Sequence, residues 1–146
     1  MKLKDILKQK GSKVWALRED QTVRHAIEIL VSQKIGAVLV LDQHNHIAGI
    51  LSERDIVRGC YTSTGDLEAS SVAQLMTRRV ISASPEEEVE SVMALMTEHR
   101  IRHVPVVSEG KLEGIVSIGD VVKALLQESA YEVQSLKEFI YGPAAS

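Results

Sequence analysis

The chain has 146 residues, 45% hydrophobic and 25% charged, a balance that suits one ordinary globular domain or two small halves sharing a core. A formal charge of -3 supplies no basic field to hold nucleic acid, and 3% aromatics are too few for a base-stacking platform. The single cysteine, Cys60, excludes an intrachain disulfide and a multi-thiolate zinc site, and favours a reducing, cytoplasmic setting.

The opening MKLKDILKQKGSK alternates charge with single apolar residues, so it reads as neither a signal peptide nor a membrane span. A short strand begins at Val14, Trp15 and Ala16. Val23, Ala26, Ile27 and Leu30 then recur at helical spacing, behind a cap expected at Asp20. AVLVL at 37–41 and IAGIL at 47–51 have strand length, and the hairpin loop between them carries His44 and His46. The string GILSERD at 49–55 leads into a helix carrying Ile56, Val57 and Cys60, and YTSTGDLEASS reads as a polar linker.

The same order then recurs. Ser84 reads as an N-cap, with Pro85 at the first helical position and Glu87 three residues after the cap, so PEEEVE is expected to be a charged first turn. Val89, Val92, Met93 and Met96 form the helical face, and both methionines are expected in the core. IRHVPVV and GIVSIGD, at 101–107 and 114–120, precede a helix with Val121, Val122, Leu125 and Leu126. The tail YEVQSLKEFIYGPAAS reads as an appended helix with Val133, Leu136 and Ile140 on one face, stopped at Gly142-Pro143.

Val14 pairs with Val80, Val23 with Val89, Ile35 with Ile101 and Val40 with Val106, each 66 positions apart. Gly49 with Gly114 and Asp55 with Asp120 are 65 apart, so one residue is lost where a loop absorbs it most easily. The chain is therefore a tandem repeat, with a first domain over 8–66, a second over 74–132 and a tail over 133–146.

The repeated string has two physical readings. Ser52 to Asp55 and Ser117 to Asp120 have capping-box spacing, which needs no ligand. The same junctions also present free backbone N–H groups at a positive helix end, a ready phosphate site, and an Asp able to accept from a ribose diol. Two facing copies would leave a cleft between them with these elements repeated about a pseudo-two-fold. The residues alone leave both readings open.

The order of elements, the duplication and the strings IRHVPVV, GILSERD and GIVSIGD resemble the cystathionine-β-synthase (CBS) domain pair, or Bateman module, over about Val14 to Leu126. The resemblance implies an α+β fold, β-α-β-β-α in each copy, with two copies packed sheet to sheet. It implies regulatory binding of adenosine-containing ligands (AMP, ADP, ATP, NAD or S-adenosylmethionine) in the clefts between the repeats. The aspartate would hold ribose and the serine would contact phosphate: Asp55 and Ser52 for one cleft, Asp120 and Ser117 for the other. Arg102 and His103 would supply basic groups to phosphate. Val80, Ile81 and Ser82, with Val104 and Pro105, would line one adenine pocket, and Val14, Trp15 and Ala16, with Ala37 and Val38, the other. In the first copy Gly36-Ala37 replaces the basic pair, leaving Arg54, Lys13 or Lys34 as phosphate hooks. Arg54 is equally acceptable as a solvated residue at a helix start, and Trp15 could line a cleft or close a core edge.

No nucleophile stands beside a base, no P-loop or H-E-x-x-H is present, and His44 and His46 suit a solvated loop better than a metal site. The expectation is a non-catalytic regulatory module that passes ligand state to an effector protein. The other reading is a structural dimerisation module with empty clefts. A homodimer is expected, with Val121, Val122 and Leu125 seeking cover, and neither a membrane nor nucleic acid is an expected partner.

Overall fold

The computed structural model describes residues 1–11 and 13–142. In chain order it contains α1 (Leu3–Lys10), β1 (Ala16–Arg18), α2 (Val23–Gln33), β2 (Ala37–Leu41), β3 (Ile47–Ser52), α3 (Glu53–Thr62), a 3-10 turn (Leu67–Ala69), α4 (Val72–Leu75), α5 (Val89–His99), β4 (His103–Ser108), β5 (Lys111–Ser117) and α6 (Ile118–Tyr141). Of the described residues, 13–81 form one compact unit, and 1–11 with 82–142 form the other.

In the first unit β1 runs parallel to β2, and β2 pairs antiparallel with β3, with Ala37 opposite Ser52. Thr22 caps α2 by accepting from the His25 N–H at 3.2 Å; the expected cap, Asp20, lies before the helix. A hydroxyl on the residue adjoining the first turn reaches an orphan N–H that Asp20 is too far back to reach. Ala26 and Leu30 of α2 pack with Leu17, Val38, Val40 and Leu51, this core is closed by Val72 and Met76, and Val23 on the same helix is fully buried.

The second unit repeats the hairpin as β4 and β5, with His103 opposite Ser117. Both repeats end their first helix alike: Lys34 and Arg100 are left-handed at φ 54°, and the next N–H, of Ile35 or Ile101, bonds back to Leu30 or Met96. A basic residue there also complements the negative helix end. The lost residue falls in the hairpin loops, 43–45 in one copy and 109–110 in the other. Glu109 and Gly110 both have positive φ, as a two-residue type I′ turn requires.

Several expectations change here. The first strand of the second copy shrinks to one bridge, Ala83 to Val106, although Ala83 still donates to Pro105 O at 3.0 Å and accepts from Val107 N at 2.8 Å. Helix α5 starts at Val89, not at Pro85. Ser84–Glu87 instead forms a turn in which Ser84 N donates to the Glu87 carboxylate and Glu87 N to Ser84 O. Its carbonyls are taken by α1: Leu3 N donates to Glu87 O and Lys4 N to Pro85 O, each at 3.0 Å, so this turn caps α1. Glu86 pairs with Lys2 and Lys4, which gives PEEEVE a tertiary role beyond the helix dipole.

The tail is not a separate helix. No Gly or Pro interrupts 120–141, and α6 runs unbroken from Ile118 to Tyr141. Residues 143–146 of that tail, Pro143 included, lie outside the described residues. Val121 is fully buried in its own core and Leu125 half-buried, so of the three residues expected to seek cover only Val122 is exposed.

The opening segment, to which the sequence assigned no element, is helix α1, with Leu3, Ile6 and Leu7 packed against β5 and α6. Its seat explains the motif glycines. A Cβ on Gly114 would stand 2.7 Å from Leu7 Cδ2, and one on Gly49 would stand 2.6 Å from the Met76 sulfur. Each motif thus begins with the bare backbone that lets a helical segment lie across the last strand. Leu3→Ala should destabilise the protein by about 2–5 kcal/mol. Amide exchange should then speed up in β5 and not in β3; faster exchange in β3 instead would mean that α1 belongs with the other copy.

Candidate functional site

Each GIxSxxD string makes a strand-to-helix junction closed by reciprocal capping. Ser52 Oγ accepts from Asp55 N at 3.2 Å while the Asp55 carboxylate accepts from Ser52 N at 2.9 Å. Ser117 and Asp120 repeat this at 3.2 and 2.8 Å. The bland reading of the string is therefore correct as far as it goes.

The junctions differ in what else holds the carboxylate. Asp55 is 6% exposed, and both of its oxygens are engaged. Oδ2 accepts from the backbone and hydroxyl of Ser52, while Oδ1 accepts from Thr77 Oγ1 at 3.1 Å and Arg58 Nη1 at 3.4 Å. Thr77 is brought there by pairing with the edge of β3, through Ile50 N to Thr77 O and Thr77 N to Ile50 O. Asp120 accepts only on Oδ2, from Ser117 N and from Lys10 Nζ at 2.6 Å, and its Oδ1 has no hydrogen-bond partner among the described residues. Lys10 also donates to Ile115 O at 3.0 Å. Partial burial pushes the Asp120 carboxyl up, but the Lys10 ammonium and the Ser117 N–H outweigh it and hold the group below the usual carboxylate range.

The second junction gathers several of the residues singled out from sequence. Ile118 N, at the head of α6, donates to Arg102 O at 2.8 Å, and His103 lies across the hairpin from Ser117. Arg102, His103, Ser117 and Asp120 therefore meet at one end of the β4–β5 hairpin, with the Arg102 side chain exposed. In the first copy Glu53 N donates to Gly36 O at 3.0 Å, the same backbone bond with no side chain at the basic position. Arg54 is exposed in the first turn of α3, and Lys34 is exposed at the C-terminal cap of α2.

The expected adenine-lining residues divide. Val38 and Val104 are 0% exposed and turned into the cores, so they offer a ligand main chain alone, and Ala37 and Pro105 are also buried. Val14, Trp15, Val80 and Ile81 are half-buried, and Ala16 and Ser82 are exposed. Val80 and Ile81 fall in the 13–81 unit and Ser82 in the other. Trp15 O accepts from Leu39 N, and the Lys13 ammonium lies 4.4 Å from the Trp15 ring centre, so Lys13 has a partner of its own.

Sequence reading missed Lys10, Thr77 and Arg58. Arg58 is legible at i+3 from Asp55. Thr77 and Lys10 are 22 and 110 positions from the carboxylates they meet, and no local pattern announces them. Among the described residues no three His, Cys, Asp or Glu side chains form a metal cluster, and no helix is long and apolar enough to cross a membrane.

A family model described as CBS domain matches residues 3–61 and 72–127. The chain is 35% identical over 149 residues to the CBS domain-containing protein CBSX3, mitochondrial, of Arabidopsis thaliana, spanning 96% of this chain and 72% of that protein. Among solved structures it is similar to a CBS-domain containing protein of Agrobacterium tumefaciens, at 39% identity and a TM-score of 0.81, covering 84% of this chain and 92% of that one. It is also similar to the CBS domain pair of protein MJ0100 in complex with 5′-methylthioadenosine and S-adenosyl-L-methionine. That pair is 26% identical with a TM-score of 0.77, covering 88% of this chain and 98% of that one.

A depressed carboxyl stabilises the fold above its unfolded pKa, and the contribution is lost as pH falls through the folded pKa. Lys10→Met removes the ammonium and leaves the burial, so the Asp120 pKa should rise and acid unfolding should begin at higher pH. Carboxyl NMR across the acid range reads both effects. An unmoved Asp120 titration would show that Lys10 does not control this group.

Proposed function

This chain belongs to the CBS domain family, with two copies of the domain in tandem, and from that premise we propose that it is a non-catalytic regulatory module. It binds an adenosine-containing ligand at the second junction and signals ligand state, and so cellular energy status, to an effector protein. AMP, ADP, ATP, NAD and S-adenosylmethionine all carry the ribose that Asp120 would hold. The observation that carries this reading is the open Oδ1 of Asp120, at the Ser117 cap and at the same end of the hairpin as Arg102, whose backbone carbonyl accepts from Ile118 N. Protein MJ0100, solved with two adenosine compounds, supports the ligand class.

Ribose on Oδ1 leaves the Ser117 capping bond on Oδ2 intact. Arg102 adds a planar cation suited to bidentate phosphate binding, and His103 adds positive charge when protonated. Lys10, already at the carboxylate, supplies a second flexible cation. The first junction is given the structural role, because the oxygens that a ribose would need on Asp55 already serve Ser52, Thr77 and Arg58. The purely structural reading of the whole protein draws on that same saturated carboxylate. The regulatory reading includes pairing with a second copy, and a reducing, cytoplasmic setting consistent with the lone Cys60.

Titration calorimetry with AMP, ATP, NAD, S-adenosylmethionine and adenosine tests the assignment. Asp120→Asn should weaken all of them by about 1.5–3 kcal/mol, the worth of a charge-assisted hydrogen bond. Arg102→Ala should weaken the phosphate-bearing ligands and leave adenosine little changed. Asp55→Asn should lower stability and spare affinity. The tight site following Asp55 would reverse the assignment. An absence of melting-temperature shift with every ligand would favour the structural module, since a ligand at ~100 times its dissociation constant adds about 2.7 kcal/mol.

A further inference from the structure

Helix α6 outruns the unit that it belongs to. Val121 and Ala124 are buried and Leu125 and Glu128 half-buried, but every residue from Ser129 to Tyr141 is exposed. A solvated stretch should be polar, yet this one carries Val133 at 51% exposure, Leu136 at 58%, Phe139 at 88% and Ile140 at 58%. The apolar series continues upstream along the same stripe through Leu126 and Val122, which line a shallow groove of about 560 Å³ on α6.

The spacing of these residues identifies what covers them. Val122, Leu126, Ser129, Val133, Leu136 and Ile140 follow each other at alternating intervals of four and three, the heptad rule for a two-helix seam. Leu126, Val133 and Ile140 fall at a, and Val122, Ser129 and Leu136 at d. In the C-terminal half, β-branched Val133 and Ile140 at a with Leu136 at d form the combination that favours two parallel strands, whereas the layer of Val122 at d and Leu126 at a does not select the number of strands. The flanks select direction. Glu132 falls at g and Lys137 at the following e, and in a parallel, in-register pair each Glu132 faces Lys137 of the second copy, twice by symmetry. An antiparallel pairing sets g against g and e against e, so the lysines at e would face one another. The remaining g positions, Leu125 and Phe139, and Ala130 at e, widen the seam with apolar surface.

We propose that residues 122–141 of α6 pair in parallel with the same segment of a second copy, as a short two-stranded coiled coil continuous with the second CBS domain. The proposal rests on the pairing included in the regulatory reading, and it adds the surface, the register and the direction. Roughly 20 residues span ~30 Å, a contact short enough to be marginal alone and sensitive to single changes. Ser129 at the central d position is the weak point of the seam.

Sedimentation equilibrium of the full chain should give twice the 16.1 kDa chain mass. Leu136→Asp should weaken the dimer about tenfold or more by placing charge in the seam, and Ser129→Leu should tighten it. Glu132→Lys should loosen it and the double swap Glu132→Lys with Lys137→Glu should restore it. In a Cys60→Ser background, Ile140→Cys should cross-link copy to copy, because only a parallel pairing brings that position against itself. By circular dichroism Leu136→Asp should lose only the helical signal of the frayed end of α6. Its amide protection in β4 and β5 and its ligand affinity should match the parent, which separates loss of the seam from loss of the fold or of the binding site. A parent that stays monomeric would overturn both the seam and the pairing. A parent dimer indifferent to Leu136→Asp and Ser129→Leu would overturn the seam alone.

Discussion

A carboxylate at the third position of a helix has two oxygens, and the fate of the second decides what the junction can do. One oxygen of Asp55 and one of Asp120 are committed to the cap, because a helix entered directly from a strand leaves N–H groups that nothing else nearby satisfies. The remaining oxygen is governed by whichever segment crosses the last strand of that copy. In the first copy the crossing segment is residues 75–77, which brings the Thr77 hydroxyl onto Oδ1. In the second it is α1, which brings an ammonium onto the oxygen already used for capping and leaves Oδ1 open. Two near-identical strings thus acquire different chemistry from segments that lie outside them.

The glycine that opens each string is what admits those segments. A Cβ at Gly49 would stand 2.8 Å from the backbone oxygen of Thr77, so residues 75–77 would have to lift off the strand, and one at Gly114 would press on the Leu7 side chain by which α1 is seated. The Thr77 hydroxyl would move with residues 75–77, and Lys10 follows Leu7 on α1. Backbone bareness at the strand, cover by the crossing helix and control of the carboxylate are therefore one coupled arrangement. The family match begins at residue 3, so α1 leads the first copy in sequence while packing with the second copy in space.

Much of this was legible from residues alone, for identifiable reasons. The 65- and 66-residue spacings, the helical face Val23–Ala26–Leu30 and the Ser–Asp caps are all local patterns, and local patterns survive tertiary context. The start of α5 was not legible. Ser84-Pro85 carries strong helix-start chemistry, but its carbonyls are claimed by the N–H groups of Leu3 and Lys4, a contact that only the fold creates. Helix α1 was missed because Leu3, Ile6 and Leu7 are too few apolar residues, among too many charges, to announce a buried face. The open oxygen of Asp120 was illegible in principle, since it depends on Lys10, 110 positions away. The heptad on α6 was present in the sequence as Val133, Leu136 and Ile140. It gained its meaning from continuity with Val122 and Leu126 and from their exposure.

The central claim is that the two aspartates, alike in the sequence and alike as caps, divide into a structural one and a ligand-holding one. Carbon-13 carboxyl NMR of aspartate-labelled protein during titration with ATP observes both groups at once. The account predicts that the Asp120 carboxyl resonance moves in proportion to occupancy and returns on dialysis, while that of Asp55 stays in place. Movement of Asp55 with Asp120 unmoved would contradict it.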